Sequence, residues 1–238
     1  MQQDTNGVTF KSPDGSRTLA ISFSTGNIRY DTPEPHYSPT NLAQGVPQMS
    51  EMPKLTKNFL QKIGIKPSEV MRNTNGAPRF NFWEPFTEYY PKDYPKGKPA
   101  ITNIEFRAVN FSRSVDGAEV AGDAGHCGIE FGEHGKISQI HLSWPDLKRY
   151  KSAPTLKPQA IMQLLREGKA HQGATLDSVG DIDWMSVKSV TIKQAWPCYF
   201  AGDSNLLYPF LVLWTTVDTN HRNVAVGIDC PIIDETKP

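Results

Sequence analysis

Proline and glycine interrupt this sequence so often that few stretches are long enough for an extended helix. The 238 residues include 19 prolines and 18 glycines, and both residue types break helices and favour turns. Between them lie short segments in which apolar and polar residues alternate, which is the pattern of half-buried strands. The sequence therefore predicts an α+β fold rich in antiparallel strands.

Turn signals and alternation predict where the strands lie. A β-meander is predicted over residues 7–30, and a hairpin is predicted around the turn at residues 132–135, because glycines at both ends of the turn allow a tight reversal. The remaining strands and the two arms of that hairpin are predicted at residues 101–113, 128–131, 137–144, 187–200, 206–217 and 223–229.

Two segments place apolar residues at helical spacing. The first covers residues 54–64 and the second residues 158–167, and a glycine ends each of them. An apolar stripe on a helix must be buried against another element, and an antiparallel sheet is the natural one. We therefore expect the following side chains to be buried: Leu55, Phe59, Leu60, Ile63, Ile161, Leu164 and Leu165.

The two helical segments match each other at an offset of 101 residues, since Leu55 falls on Leu156 and Leu60 on Ile161. Each is followed by strands, which favours a duplication. The predicted organisation is a meander and Pro-rich linker over residues 1–53, followed by two tandem halves. Each half has a helix on an antiparallel sheet, over residues 54–150 and 151–238.

Three short sequences between residues 135 and 214 resemble a known family. They are Gly-Lys-Ile-Ser-Gln-Ile-His-Leu-Ser-Trp (135–144), Lys-Pro-Gln-Ala-Ile (157–161) and Leu-Tyr-Pro-Phe-Leu-Val-Leu-Trp (207–214). Together, over residues 128–230, they resemble PepSY-like and YycI-type extracytoplasmic modules. The resemblance implies PepSY- or cystatin-like halves and a role in binding or inhibiting other proteins, and it transfers no catalytic residue.

Charge and hydropathy exclude several partners. Lys plus Arg equals Asp plus Glu, at 25 each, so no global field attracts nucleic acid, and no apolar run reaches the ~20 residues that span a bilayer. The polar start lacks a signal peptide and fits either a cytoplasmic protein or an exported chain after cleavage. We expect a periplasmic or secreted protein with no nucleic-acid partner and no integral membrane segment.

Three cysteines are too few for a disulfide scaffold and lack zinc-binding spacing. At most one bridge can form. Cys198 and Cys230 are the expected pair if the protein is exported, with Cys127 free, and the other possibility is three free thiols.

One segment brings reactive residue types close together, and it begins with Gly-His-Cys-Gly at residues 125–128. The candidate catalytic residues are His126, Cys127, Glu130 and His134. Alternation along a strand places His126 and Glu130 on one face and Cys127 on the other, so a site would use His126 and Glu130. The competing interpretation is a purely structural hairpin.

Other residues suggest binding rather than catalysis. Tyr89, Tyr90 and Tyr94 are candidate ligand-binding residues, because prolines and lysines around them favour exposure. No metal site or cofactor is predicted, although two acidic groups suit Ca²⁺, which prefers oxygen ligands. These groups are Asp177, Asp181 and Asp183, and Asp229, Asp234 and Glu235. The densest basic region contains Lys92, Lys96, Lys98, Arg107 and Arg113.

Two functional hypotheses follow from the sequence. The first is an extracytoplasmic binding or regulatory protein that has no clear catalytic motif and whose partner is another protein or a small molecule. The second is a small-molecule hydrolase acting on an ester or lactone, with Cys127 or a nearby hydroxyl as nucleophile and His126 or His134 as base. The sequence does not decide whether the protein is an enzyme.

Overall fold

The computed structural model describes residues 2–3, 5–33, 35–90, 100–122, 124–148, 154–167, 171–175, 186–201, 207–219 and 223–232. The chain divides into two compact units. Unit 1 comprises residues 1–117 and 123–146, and unit 2 comprises residues 118–122 and 147–238.

Unit 1 is built on an eight-stranded sheet with the order β1-β2-β3-β4-β12-β11-β8-β5, in which all neighbours are antiparallel. A separate two-stranded sheet pairs β6 with β7. The strands of unit 1 are β1 (Gln2–Gln3), β2 (Gly7–Lys11), β3 (Thr18–Ser22), β4 (Asn27–Asp31), β5 (Asn81–Trp83), β6 (Phe86–Tyr89), β7 (Ile101–Ile104), β8 (Arg107–Ser112), β9 (Ser114–Val115), β11 (His126–Phe131) and β12 (Ile137–Ser143).

The helix of unit 1, α1 (Met52–Ile63), begins with a proline in its first turn and ends at Gly64, whose φ is 79°. A left-handed residue at this position costs little for glycine, so the helix stops there. Two short 3₁₀ helices, Pro67–Glu69 and Glu133–Gly135, complete the regular structure of the unit. The helix buries Met52, Thr56, Phe59 and Leu60.

The core of unit 1 lies between α1 and one face of the large sheet. One row of that face runs from Ile140 through Ile129 to Val109 on three adjacent strands, and Ile129 and Val109 are almost fully buried. Phe111 makes edge-on contacts with Phe80 and Trp144. Because successive residues of a strand point to opposite faces, the intervening residues form a polar outer face. One row of it contains Arg29, His141, Gly128, Asn110 and Asn81.

The described residues of unit 2 form one helix, α2 (Pro158–Arg166), and strands hydrogen-bonded in the order β13-β16-β15-β14-β10. The strands are β10 (Ala118–Gly122), β13 (His171–Thr175), β14 (Val187–Ala201), β15 (Leu207–Thr219) and β16 (Asn223–Pro231). β10 pairs with β14 in parallel, while the other neighbours are antiparallel.

The core of unit 2 is small. Its buried members lie on β15 and β16, and Ile161 and Leu165 of α2 pack against them while remaining partly exposed. No residue of α2 is buried. The buried members are Leu213, Val217, Val226, Ile228 and Cys230.

The predicted fold class is wrong, because the protein is not two tandem helix-on-sheet halves. It is mostly strand, with three sheets and, in its described residues, only two α-helices. The meander predicted at residues 7–30 exists, but its last strand, β4, pairs with β12 and so joins the large sheet. A pairing between strands more than 100 residues apart has no local signal, and that pairing changes the architecture.

Three smaller predictions are also wrong. Ile63, the last residue of α1, is 40% exposed. The strand predicted over 101–113 is divided into β7 and β8. All three cysteines are free. Cys198 lies on β14 and Cys230 on β16, with β15 between them, so the two strands are roughly 9.5 Å apart, too far for a disulfide.

Both helices and the three longest strands were predicted within a few residues of their ends. The hairpin of β11 and β12 is also confirmed.

Candidate functional site

The predicted catalytic residues of β11 lie on opposite faces of the sheet. Cys127 is 1% exposed and belongs to the core, while His126 and Glu130 are half-buried on the outer face. The ring of His126 lies edge-on to that of His141, with 5.1 Å between the ring centroids. The expectation that Cys127 packs inward is confirmed. Burial raises the pKa of its thiol, which keeps it protonated and a poor nucleophile.

His134 is far from His126, because His126 is the first residue of β11 and His134 lies beyond the other end of that strand, which is roughly 16 Å long. The role of His134 in the structure is to hold a loop. Its backbone N–H donates to the carbonyl of Gln44 at 3.3 Å, and a Cβ on Gly45 would lie 2.7 Å from its Nδ1. The backbone N–H of Gln44 in turn donates to Glu133 Oε1 at 3.0 Å.

The loop held by these contacts forms one wall of a cavity. The cavity has a volume of about 350 Å³ and lies between the loop at residues 42–48 and strand β7. This volume is in the range of small-ligand sites. The lining residues are Leu42, Ala43, Gly45, Val46, Gln48, Thr102, Asn103, Ile104 and Arg107.

Two buried polar side chains connect the walls of this cavity. Asn103 is 2% exposed, and its Oδ1 accepts a hydrogen bond from the backbone N–H of Ala43 at 2.8 Å. Its Nδ2 has no hydrogen-bond partner among the described residues. Arg107 donates from Nε to Glu84 at 2.7 Å and from Nη1 to the carbonyl of Pro47. Its charge is thus neutralised inside the unit.

Sequence reasoning missed Asn103 and assigned Arg107 to a basic region. The available signal for Asn103 was a polar amide in a strand with an apolar residue at each end, Ile101 and Ile104. Its hydrogen bond to Ala43 spans 60 residues, so no local pattern could indicate the partner.

A group of aromatic side chains lies beside the cavity, and we call Trp83, Phe86, Tyr90 and Phe106 the aromatic patch. Phe106 is half-buried, and the other three are exposed. The exposed fractions are 44% for Trp83, 59% for Phe86 and 67% for Tyr90. The ring of Trp83 meets that of Phe106 edge-on, with the centroids 5.7 Å apart. Phe86 is the cross-strand partner of Ile104, which lines the cavity.

The predicted ligand-binding tyrosines differ in exposure. Tyr90 is exposed and its hydroxyl donates to Glu88 at 2.6 Å, while Tyr89 is half-buried on the opposite side of β6. Tyr94 lies outside the described residues, as do Lys92, Lys96 and Lys98 of the basic region.

The two arginines of the basic region are buried and make contacts inside the protein. Arg113 lies 3.6 Å from Glu69, donates to the carbonyl of Pro145 and sits 5.3 Å from the ring centroid of Trp144. Burial lowers the pKa of its guanidinium, although the charge of Glu69 opposes this effect. Neither this arginine nor Arg107 forms an exposed cationic surface.

The acidic groups considered for calcium are mostly outside the described residues, which include only Asp229. Within the described part of the chain, no cluster of three or more His, Cys, Asp or Glu side chains is suited to a metal ion. The same part contains no helix with the length and hydropathy required to cross a membrane.

Comparisons with known proteins give no family for this chain. No family model matches the sequence, and no curated protein matches it. Among solved structures it is similar to the Bacillus megaterium YpeB C-terminal domain, with 10% sequence identity and a TM-score of 0.35, over 96% of this chain and 89% of that one. A TM-score this low carries no argument about fold or function.

Proposed function

We propose that this protein is a non-catalytic binding protein that recognises another protein through the aromatic patch of unit 1. The observation that carries the proposal is the exposure of Trp83 on β5, Phe86 on β6 and Tyr90 just after β6. Large aromatic side chains gain free energy when they leave water. They are enriched at the energetic centres of protein interfaces.

The cavity supports the same proposal. Phe86 and Ile104 face each other across the β6–β7 ladder, so a partner lying on the aromatic patch reaches the cavity directly. Interface anchors are typically apolar side chains that fill a pocket next to exposed aromatics. In this arrangement Leu42, Val46 and Ile104 supply the apolar contacts for such an anchor.

Photocrosslinking tests the proposal in the cells that produce the protein. A photoreactive phenylalanine analogue is placed at position 86, and in a second variant at position 23. Phe23 is the matched control, since it is in the same unit and is 56% exposed, against 59% for Phe86. We expect one discrete protein adduct from position 86, which disappears when Trp83→Ala is added. Equal adducts from both positions, or none from position 86, would contradict the proposal.

An extracytoplasmic location belongs to the proposal as well. It is supported by the polar, Pro- and Asn/Ser/Thr-rich composition alone. Free cysteines do not argue against it, because all three are buried and buried thiols are protected from oxidants. Fractionation of the source cells tests this part of the proposal.

The hydrolase hypothesis stays a prediction without support from the described geometry. Cys127 is enclosed in the core and its thiol pKa is raised. His126 and His141 lie edge-on to each other on the outer face. The hydroxyls nearest to His126 in register are those of its partners on the two adjacent strands, Ser112 and Ser143, and Ser143 is only 1% exposed, which closes its hydroxyl to a substrate.

A further inference from the structure

Strand β14 in unit 2 has a long edge that the rest of the described chain does not cover. β15 pairs with β14 over its whole length, from Val187 to Ala201. On the other edge, β10 pairs only with the last four residues, Cys198 to Ala201. Among the described residues, no strand pairs with this second edge between Val187 and Pro197. We call residues 187–197 the open edge.

Both faces of the open edge are also exposed. Every residue from 188 to 195 is exposed to solvent, whereas a strand in a folded sheet usually has one buried face. Val190 is 39% and Ile192 40% exposed. These β-branched residues have a high preference for strands. The open edge therefore has the backbone conformation that a further strand requires, and on both faces it has side chains that would lie next to those of the added strand.

The charges of the open edge are all positive. It contains Lys188 and Lys193 and no acidic residue. Each lysine lies at a β-bulge, where β14 has one residue without a partner on β15. Lys188 lies between Val187 and Ser189, and Lys193 lies between Ile192 and Gln194. Such bulges, and lysines on an edge, oppose pairing between identical edges. In the antiparallel register of two copies that places Lys188 of one opposite Lys193 of the other, like charges repel.

We propose that the open edge is a docking site for an extended, acidic segment of a partner protein, which adds as a further strand beside β14. β10 already pairs with the same edge of β14, so this edge accepts a strand. The open part is about ten residues long, roughly 33 Å of strand. Backbone hydrogen bonds would hold the segment, while the two lysines select carboxylates and disfavour a second copy of the chain. This surface is in unit 2 and is independent of the aromatic patch.

Synthetic peptides test the proposal on the full-length chain. The acidic probe is a peptide of about ten residues that alternates Thr and Val and carries two Glu residues, spaced like Lys188 and Lys193. The second probe has Lys in place of both Glu. We expect the acidic probe to slow amide hydrogen exchange in residues 187–197, and to bind at least tenfold more tightly than the basic probe.

A charge reversal distinguishes electrostatic selection of the peptide from nonspecific binding. In the double variant Lys188→Glu and Lys193→Glu, the preference should invert, so that the basic probe binds more tightly. The matched control is Lys148→Glu with Lys157→Glu, which changes the net charge equally at exposed positions away from β14 and should keep the original preference. Circular dichroism spectra confirm that each variant is folded.

Three results would overturn the proposal. One is that neither probe protects the open edge. Another is that both probes bind equally well to the unaltered protein and to the charge-reversed variant. The last is that the unaltered protein forms a dimer whose interface protects residues 187–197, since a second copy would then occupy the edge.

Discussion

Helices α1 and α2 both have an apolar stripe, but only α1 buries residues of its stripe. In unit 1 the stripe of α1 faces a sheet eight strands wide, and Phe59 and Leu60 are 8% and 3% exposed. In unit 2 the stripe of α2 contacts mainly β15 and β16, and Ile161 and Leu165 stay partly exposed. The difference shows that an apolar stripe predicts a helix, whereas the breadth of the surface beneath it determines how much area is buried.

Burial of apolar area is the main source of stability, so the two units should differ in stability as they differ in core size. Unit 1 buries helix and sheet residues together, while the buried cluster in the described part of unit 2 has its members on β15 and β16. We therefore expect unit 2 to open first, and the following experiments measure the difference.

The largest effect is expected from matched leucine truncations. Leu60 on α1 is 3% exposed and Leu213 on β15 is 2% exposed. Leu60→Ala should lower the free energy of unfolding of unit 1 by about 4 kcal/mol, and Leu213→Ala that of unit 2 by about 2.5 kcal/mol, because a thin core collapses more easily around the cavity. Urea unfolding, with Trp83 and Trp144 reporting on unit 1 and Trp196 and Trp214 on unit 2, measures both. Equal losses would refute the assignment of a thinner core to unit 2.

Hydrogen exchange should show the next largest difference. The amides of α1 should be protected about 30-fold more than those of α2, a difference of about 2 kcal/mol in opening free energy. Mass-resolved exchange of the two helical segments at one pH and temperature gives the ratio. Similar protection in both helices would mean that α2 is covered by contacts beyond those described.

Thiol labelling should also show that unit 2 opens more readily than unit 1, but by a smaller factor. Burial raises the pKa of Cys198 and Cys230 to about 11 in each case, with Asp229 adding to the effect, and it also raises the pKa of Cys127. All three thiols therefore react only after local unfolding exposes them. Cys198 and Cys230 should be labelled at least tenfold faster than Cys127, about 1.4 kcal/mol. Alkylation followed by peptide mass spectrometry measures each rate, and faster labelling of Cys127 would reverse the order of stability.

The smallest expected effect is electrostatic and belongs to unit 1. Burial raises the pKa of Asp31, but hydrogen bonds from Arg29 and Gln139 outweigh it, so the net shift is downward. A lowered folded-state pKa stabilises the protein above the ordinary Asp value of about 3.9, and this stability is lost as pH falls through the folded-state pKa.

The Asp31→Asn variant tests this sign. It should cost less than about 1 kcal/mol at neutral pH, because the ion pair with Arg29 is partly exposed and screened, and almost nothing at a pH below the lowered folded-state pKa of Asp31. Urea unfolding at both pH values measures the two losses. A loss that grows on acidification would contradict the direction of the shift.

Local elements of this fold could be predicted from the sequence, but their assembly could not. Helix α1 follows from Leu55, Phe59 and Leu60 with Gly64 as its end, and the β11–β12 hairpin from the glycines at 132 and 135. The pairing of β4 with β12 depends on sheet contacts between residues such as Tyr30 and Ile140. Such pairing reflects packing of whole elements, which no short pattern contains.

The candidate site shows the same limit. Tyr90 could be predicted to be exposed, because it precedes a segment rich in proline and lysine. Trp83 and Phe86 belonged to the same aromatic run, but their exposure depends on the short strands β5 and β6 lying at the margin of the core. The cavity depends on the hydrogen bond from Ala43 to Asn103 and on the ion pair from Arg107 to Glu84. These pairs become visible only when the chain is folded.

The parallel pairing of β10 with β14 has a consequence for the synthesis of this protein. β10 leaves the ribosome early, but its register places Glu119 against Cys198, which is translated 79 residues later. At 5–20 residues per second, that interval is roughly 4 to 16 s. During it β10 has no sheet partner in unit 2, while residues 123–146 of unit 1 are still being added. Nascent chains that stall in this interval would expose the edge of β10 that later pairs with β14, so the translation speed of residues 123–198 should influence the yield of folded protein.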